Sequence, residues 1–314
     1  IYFTLYDAVE PEHVQAIALL GALRNRPGSM GGEARKALES GSDALCMAVI
    51  EAAAQTGDAE LISRVGDALD RLAPTLQIQA LTALRDEGTA EEAGAVAKLL
   101  PTDDENLRNA AAVTLCAIGG AGHLDRLLAL PDSAELNEAL MRMDAPGVDA
   151  ALKRKLEGGS PDERARAITV LAGRRQLDVP VLLDYAADGD DAVARAAADA
   201  LKRAATSKDV SRIAGFMVET DHAPAAQGAL RALITVIDAA HDKGGFAEML
   251  TPLLSDASTP GRKTLLFQAL MRTGTDAALR PVAEAARSAD AGVRDPALKV
   301  LHAWPQPNAL PVLS

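Results

Sequence analysis

Few side chains in this 314-residue sequence are of types that do chemistry, and they lie far apart. The five histidines, His13, His123, His222, His241 and His302, include no pair at the HxxxH or HxxEH spacing that sets two imidazoles on one helix face around a metal. They read as surface or packing residues. Cys46 and Cys116 form neither a CxxC pair nor a disulfide framework. Two acidic runs, Asp103-Asp104-Glu105 and Asp188-Gly189-Asp190-Asp191, have the composition of calcium ligands. In the second, however, Val193 stands at the sixth loop position, where the EF-hand turn needs glycine. Both runs directly precede helical patterns, where acids cap free amides and favour the macrodipole. Neither a phosphate-cradling glycine loop nor a nucleophile-elbow motif is present. Gly119-Gly120-Ala121-Gly122 follows a helical pattern, not a strand, and reads as a joint between helices. The expectation is a protein without catalytic residues, metal or cofactor, and so not an enzyme.

Four arginines are the exception, because they recur. Aligning DENLRNAAAVTL (Asp104 to Leu115), SPDERARAITVL (Ser160 to Leu171) and DAGVRDPALKVL (Asp290 to Leu301) places Arg108, Arg164 and Arg294 seven residues before a closing Leu. In DDAVARAAADAL (Asp190 to Leu201) Ala194 takes that place and Arg195 follows it. A guanidinium offers paired donors to a carboxylate or phosphate. Stacked copies would therefore make a discontinuous ladder able to hold an acidic or phosphorylated peptide. The competing reading is that each Arg bonds a loop acid or carbonyl of an adjacent copy and stitches the stack, and the acids flanking every copy favour it. A second candidate is basic: Lys153 to Arg175 holds seven cations against three acids, with Lys153, Arg154, Lys155 and Arg166 as its core, while Asp86 to Glu105 holds seven acids against one lysine. Such a pair of patches can orient a partner, and each reads more simply as a solvated face.

The elements that carry these residues repeat along the chain. Weaker copies end near Leu23, Ala53, Leu84, Leu140, Leu233 and Leu270, giving steps of 30, 31, 31, 25, 31, 30, 32, 37 and 31 residues. Self-similarity at such a period marks a repeat architecture. Between the copies lie segments such as LISRVGDAL and VPVLLDYA with apolar residues three and four apart, the spacing of one helix face. Thr89 with Glu92 and Ser160 with Glu163 have the S/T-x-x-E form that closes a helix N-terminus reciprocally. Each period is thus an antiparallel helix pair. Three places after the Arg position stands alanine in six copies, Ala80, Ala111, Ala167, Ala197, Ala229 and Ala297, which lets neighbouring helices approach closely. Cys46 and Cys116 then fall two repeats and about 20 Å apart, too far for a disulfide, so two unpaired thiols are expected, at least one of them buried.

Composition agrees with closely packed helices. The apolar share is 48% but the aromatic share only 3%, so Ala and Leu must build the core. A net charge of −12 disfavours nucleic acid as a partner, because phosphate binding needs clustered Lys and Arg. No run approaches the roughly 18 apolar residues of a membrane helix, so no membrane insertion is expected. The opening IYFTLYD lacks both Met and a secretion signal, and the compartment, cytoplasmic or exported to the periplasm, stays open.

The capping Asp or Ser, the run Val293-Arg294-Asp295-Pro296-Ala297-Leu298-Lys299-Val300-Leu301 and the 31-residue period resemble HEAT repeats, in particular the short bacterial type also found in phycobilin lyases. The resemblance covers the chain from about Glu10 and is weakest over Ser133 to Leu140. It implies an all-α, right-handed α-solenoid of about ten helix pairs, an armadillo-like superhelix filling residues 1–314 as one domain. The second helix of each pair would line a concave face carrying the arginines, and stitching is how HEAT repeats commonly use them. Residues 1–10 would be an extension or cap, and 305–314 the start of a truncated further repeat, so that the native chain continues as part of a larger multidomain protein. The expected function is a non-catalytic scaffold or spacer whose partner is a protein or peptide, an acidic one being the candidate for the arginines. Two alternatives come from the same resemblance: bilin attachment, and base-lesion recognition by a HEAT-like nucleic-acid solenoid, which the charge and the scarcity of aromatics oppose.

Overall fold

A computed structural model describes residues 11–305, and all regular structure among them is helical. The expected terminal cap (1–10) and, past Pro305, the expected start of a further repeat lie outside the described residues. The chain divides into two compact units, Ile1–Ala151 and Leu152–Ser314.

In the first unit, long helices α1 (Glu12–Asn25), α3 (Asp43–Thr56), α5 (Pro74–Glu87) and α7 (Glu105–Ile118) alternate with short ones, α2 (Gly31–Glu39), α4 (Ala59–Ala68), α6 (Ala93–Ala97) and α8 (Leu124–Leu128), and α9 (Ala134–Arg142) continues the long series. Each long helix packs on the next, α1 on α3, α3 on α5, α5 on α7 and α7 on α9, while α2, α4 and α6 make a second row. The helix α10 (Val148–Gly158) contains the boundary between the units.

The second unit repeats the plan. The long row is α11 (Pro161–Gly173), α13 (Asp191–Ala204), α15 (Ala223–Ala239), α18 (Pro260–Thr273) and α20 (Ala291–His302), each against the next. Opposite it stand α12 (Val179–Ala186), α14 (Val210–Glu219), α16 (Gly244–Leu250) and α19 (Asp276–Ala285), with the single turn α17 (Leu253–Asp256) inserted. Helices that pack chiefly on their neighbours in two rows define an α-solenoid.

Sequence explains the helix ends. Asp104 accepts hydrogen bonds from the amides of Asn106 and Leu107, and Asp190 from those of Ala192 and Val193, so both acidic runs act as caps. Ser160 and Glu163 form the reciprocal box. The Thr89 pair is half of one: Glu92 reaches back to the Thr89 amide and hydroxyl, but the helix starts only at Ala93.

The core follows the repeat register. Every closing position from Leu23 to Leu301 is at most 1% exposed, and the six alanines at the recurring small position are all at 0%. These alanines set the spacing of the long row, and at Gly228 of α15 even a methyl is too large, since an added Cβ would lie 2.5 Å from the Cβ of Ala198 on α13. The irregular steps also have a cause. In the 25-residue step the five-residue α8 is followed by a long-row helix of only nine residues, α9, and the 37-residue step holds a 17-residue long helix followed by α16 and α17.

Candidate functional site

The arginine position turns out to be one instance of a wider rule. Seven residues before the closing residue stand, in successive copies, Cys46, Gln77 and Arg108, then Arg164. All four direct a donor at a carbonyl near the end of the short-row segment just before them. The Cys46 thiol lies 3.5 and 3.8 Å from the carbonyls of Ala37 and Leu38, the Gln77 amide donates to Leu69 at 2.9 Å, Arg108 to Thr102 at 3.1 Å and Arg164 to Leu156 at 3.3 Å. The last carbonyls of a helix have no intrahelical donor, so a donor from the next helix satisfies them. Inspection for charge alone finds only the arginines; inspection for hydrogen-bond donors at that offset finds all four.

Arg164 does more. Its other arm bonds Asp188 in the loop before α13, and its guanidinium lies 5.9 Å from the centroid of the Tyr185 ring. Asp188 is held below the usual carboxylate range, first by the Asp190 amide that donates to it and then by Arg164. Among the described residues Arg294 bonds only its neighbour Asp295, and Arg195, exposed on α13, has no partner. Two of the four arginines therefore stitch, and two do not.

The basic candidates also separate. Lys153 and Arg154 are exposed, Lys155 is tied to Glu163 at 2.8 Å, and Arg166 is buried at 8% exposure, in the wall and not on the surface. Neither cysteine is in a disulfide and both are buried, as the repeat register requires. Burial, followed by the charge of Asp43, pushes the Cys46 thiol up.

Two further stitches escape the seven-residue register. Arg262 sits one place early in its copy and donates to the carbonyls of Glu219 and Thr220 and to Asp221. Arg272, at the end of α18, grips Asp238, at the end of α15, with two bonds of 2.6 and 2.7 Å.

A concavity lies in the first unit, across α5, α7 and α9. A groove of about 440 Å³ between Arg85 and Arg142 has Val113, Ala117 and Ala139 in its lining and Glu135 and Glu138 beside them. It adjoins a second of about 270 Å³ that shares Arg85, Val113 and Glu135 and adds Asn106 and Asn109. On the opposite row, Arg35, Arg64 and Arg71 line a cleft of about 370 Å³. Glu39 in that cleft is kept below its ordinary range, first by the hydrogen bond from Arg35 and more weakly by the charges of Arg35 and Arg71. Among the described residues no group of three or more His, Cys, Asp or Glu could hold a metal, and no helix is long and apolar enough to cross a membrane.

The two-row packing defines the class: this chain is a helical-repeat solenoid. No protein-family model and no curated protein sequence matches it. Among solved structures it is similar to YibA of Escherichia coli, at 14% identity and a TM-score of 0.35 over 77% of this chain and 95% of that one. It is also similar to a Kap121p mutant, at 13% identity and a TM-score of 0.40 over 96% of this chain, which spans about 35% of the length of that protein. A third is human deoxyhypusine hydroxylase in complex with glycerol, at 18% identity and a TM-score of 0.26 over 80% and 88% of the two chains.

Proposed function

We propose that this protein is a non-catalytic scaffold built of HEAT-like repeats, and that it holds a protein or peptide segment along the exposed side of its long helices. The observation that carries the reading is the pair of adjoining grooves over α5, α7 and α9. They combine an apolar lining (Val113, Ala117, Ala139) with a rim bearing both signs of charge (Arg85, Arg142, Glu135, Glu138). An apolar centre within a polar rim is the usual anatomy of a protein interface.

Peptide display selected against the native protein tests this reading. Bound sequences should lose affinity for Ala139→Arg and Val113→Glu, which fill or charge the lining from part-exposed positions, and should keep it for Arg195→Ala on the second unit. A selected pool that binds both groove variants as well as the native chain would refute the groove as the site.

A further inference from the structure

We infer that the cleft between α2 and α4 is a binding site for a phosphate monoester. Its lining brings three arginines together from three elements: Arg35 on α2, Arg64 on α4 and Arg71 on the 3₁₀ turn Leu69–Arg71 that follows α4. The acids in the lining itself are Glu39 and Asp67, while Glu60 and Asp70 stand at its edge beside Arg64 and Arg71, so three guanidinium groups gather in a chain whose net charge is −12.

Each arginine is held by a local acceptor while most of its donors find none among the described residues. Arg35 uses Nε on Glu39 at 2.9 Å. Arg71 spends one Nη2 proton on the Asp67 carbonyl at 3.1 Å, and its contact with Asp70 is long, at 3.9 Å. Arg64 reaches Glu60 only at 3.5 Å, and its Nε is buried with no acceptor at all. A guanidinium has five N–H donors, and a buried one without an acceptor is costly. The carbonyl ends of α2 and α4 account for a cation nearby through the helix dipole, but not for three with their forks largely unused.

The geometry selects the anion. A planar carboxylate is satisfied by one guanidinium fork, whereas donors arriving from three separate elements suit a tetrahedral group with three terminal oxygens. The volume of about 370 Å³ exceeds what a bare ion fills, and the buried Leu38 and Ala68 beside the arginines give the ester's carbon portion an apolar wall. Two sources share this chemistry: a phosphorylated side chain of a partner protein and a free small phosphate ester. The cleft lies on other helices than the groove proposed above, so the two readings stand or fall separately.

Calorimetric titration of the full chain with inorganic phosphate, phenyl phosphate and a phosphoserine hexapeptide, at physiological ionic strength, is the test. Saturable binding of phenyl phosphate is expected, weakened about tenfold or more by Arg71→Ala and by Arg35→Ala. Binding should be tightened severalfold by Glu39→Gln, which frees Arg35 from its competitor, and left unchanged by Arg164→Ala in the other unit. The gain in Glu39→Gln is the result that a merely structural cluster cannot produce, and Arg71→Lys, which keeps the charge but loses the fork, should also weaken binding if Arg71→Ala proves unstable. A phosphoserine peptide that binds tighter than phenyl phosphate identifies the macromolecular source, and equal affinities the small one. Absence of saturable binding for all three probes, or affinities indifferent to Arg71 and Glu39, would overturn the inference.

Discussion

Arg164 joins three parts of its surroundings: the carbonyl of Leu156 before it, the carboxylate of Asp188 after it, and the ring of Tyr185. Removing one partner of a part-buried, charge-assisted bond costs more than the pair contributes, because the other is left unsatisfied. Arg164→Ala and Asp188→Asn should each lower stability by about 1–3 kcal/mol in urea unfolding, and the double variant should cost less than their sum. Asp188 also sets a pH dependence. Its folded pKa is depressed, so its contribution is complete above the unfolded value of about 4 and is lost as pH falls through the folded one. Asp238 behaves alike through Arg272. Stability measured from pH 6 down to pH 2 should therefore fall below about pH 4, and Asp188→Asn should flatten that limb. The thiols, both buried and that of Cys46 raised, should resist alkylation in the native protein and react together only in denaturant.

Helix against helix, the decisive contacts are those of the smallest residues. Gly228→Ala would drive a methyl into Ala198 and should cost about 1–3 kcal/mol, whereas Gly215→Ala in α14 meets nothing within 4 Å and should stabilise by about 0.5–1 kcal/mol; thermal melts of the pair separate packing from helix propensity. Most of this level was legible beforehand. Closing Leu residues, recurrent alanines and capping acids are local choices dictated by one helix and its nearest neighbour, and the period exposes them. What the period hid was the chemistry of the seventh position, because Cys46, Gln77 and Arg108 look unrelated as letters and share only the ability to donate. The register also passed over Arg262 and Arg272, whose partners lie 41 to 43 and 34 residues away on loops and helix ends that no short alignment brings together. The convergence of Arg35, Arg64 and Arg71 depends in the same way on where two short helices finish.

Over the whole molecule, stability accumulates from contacts between neighbours within each unit. Leu266, fully buried in α18, loses about 2–5 kcal/mol on truncation to Ala. Hydrogen exchange should show that loss in α15, α18 and α20, which pack against one another, and leave α3 and α5 of the first unit protected as before. Uniform loss across both units would mean that the chain opens as one cooperative body. The uneven steps carry a last implication. Length varies in both rows: the short row dwindles to five residues in α6 and in α8 and gains α17 later, and the long row runs from nine residues in α9 to 17 in α15, yet each long helix still packs on the next within its unit. The long row therefore keeps its lateral packing while helix ends and the joints between helices absorb changes in length. For engineering, foreign segments belong in joints such as His241-Asp242-Lys243, and for evolution the same joints are where such a chain can acquire new surface without re-solving its packing.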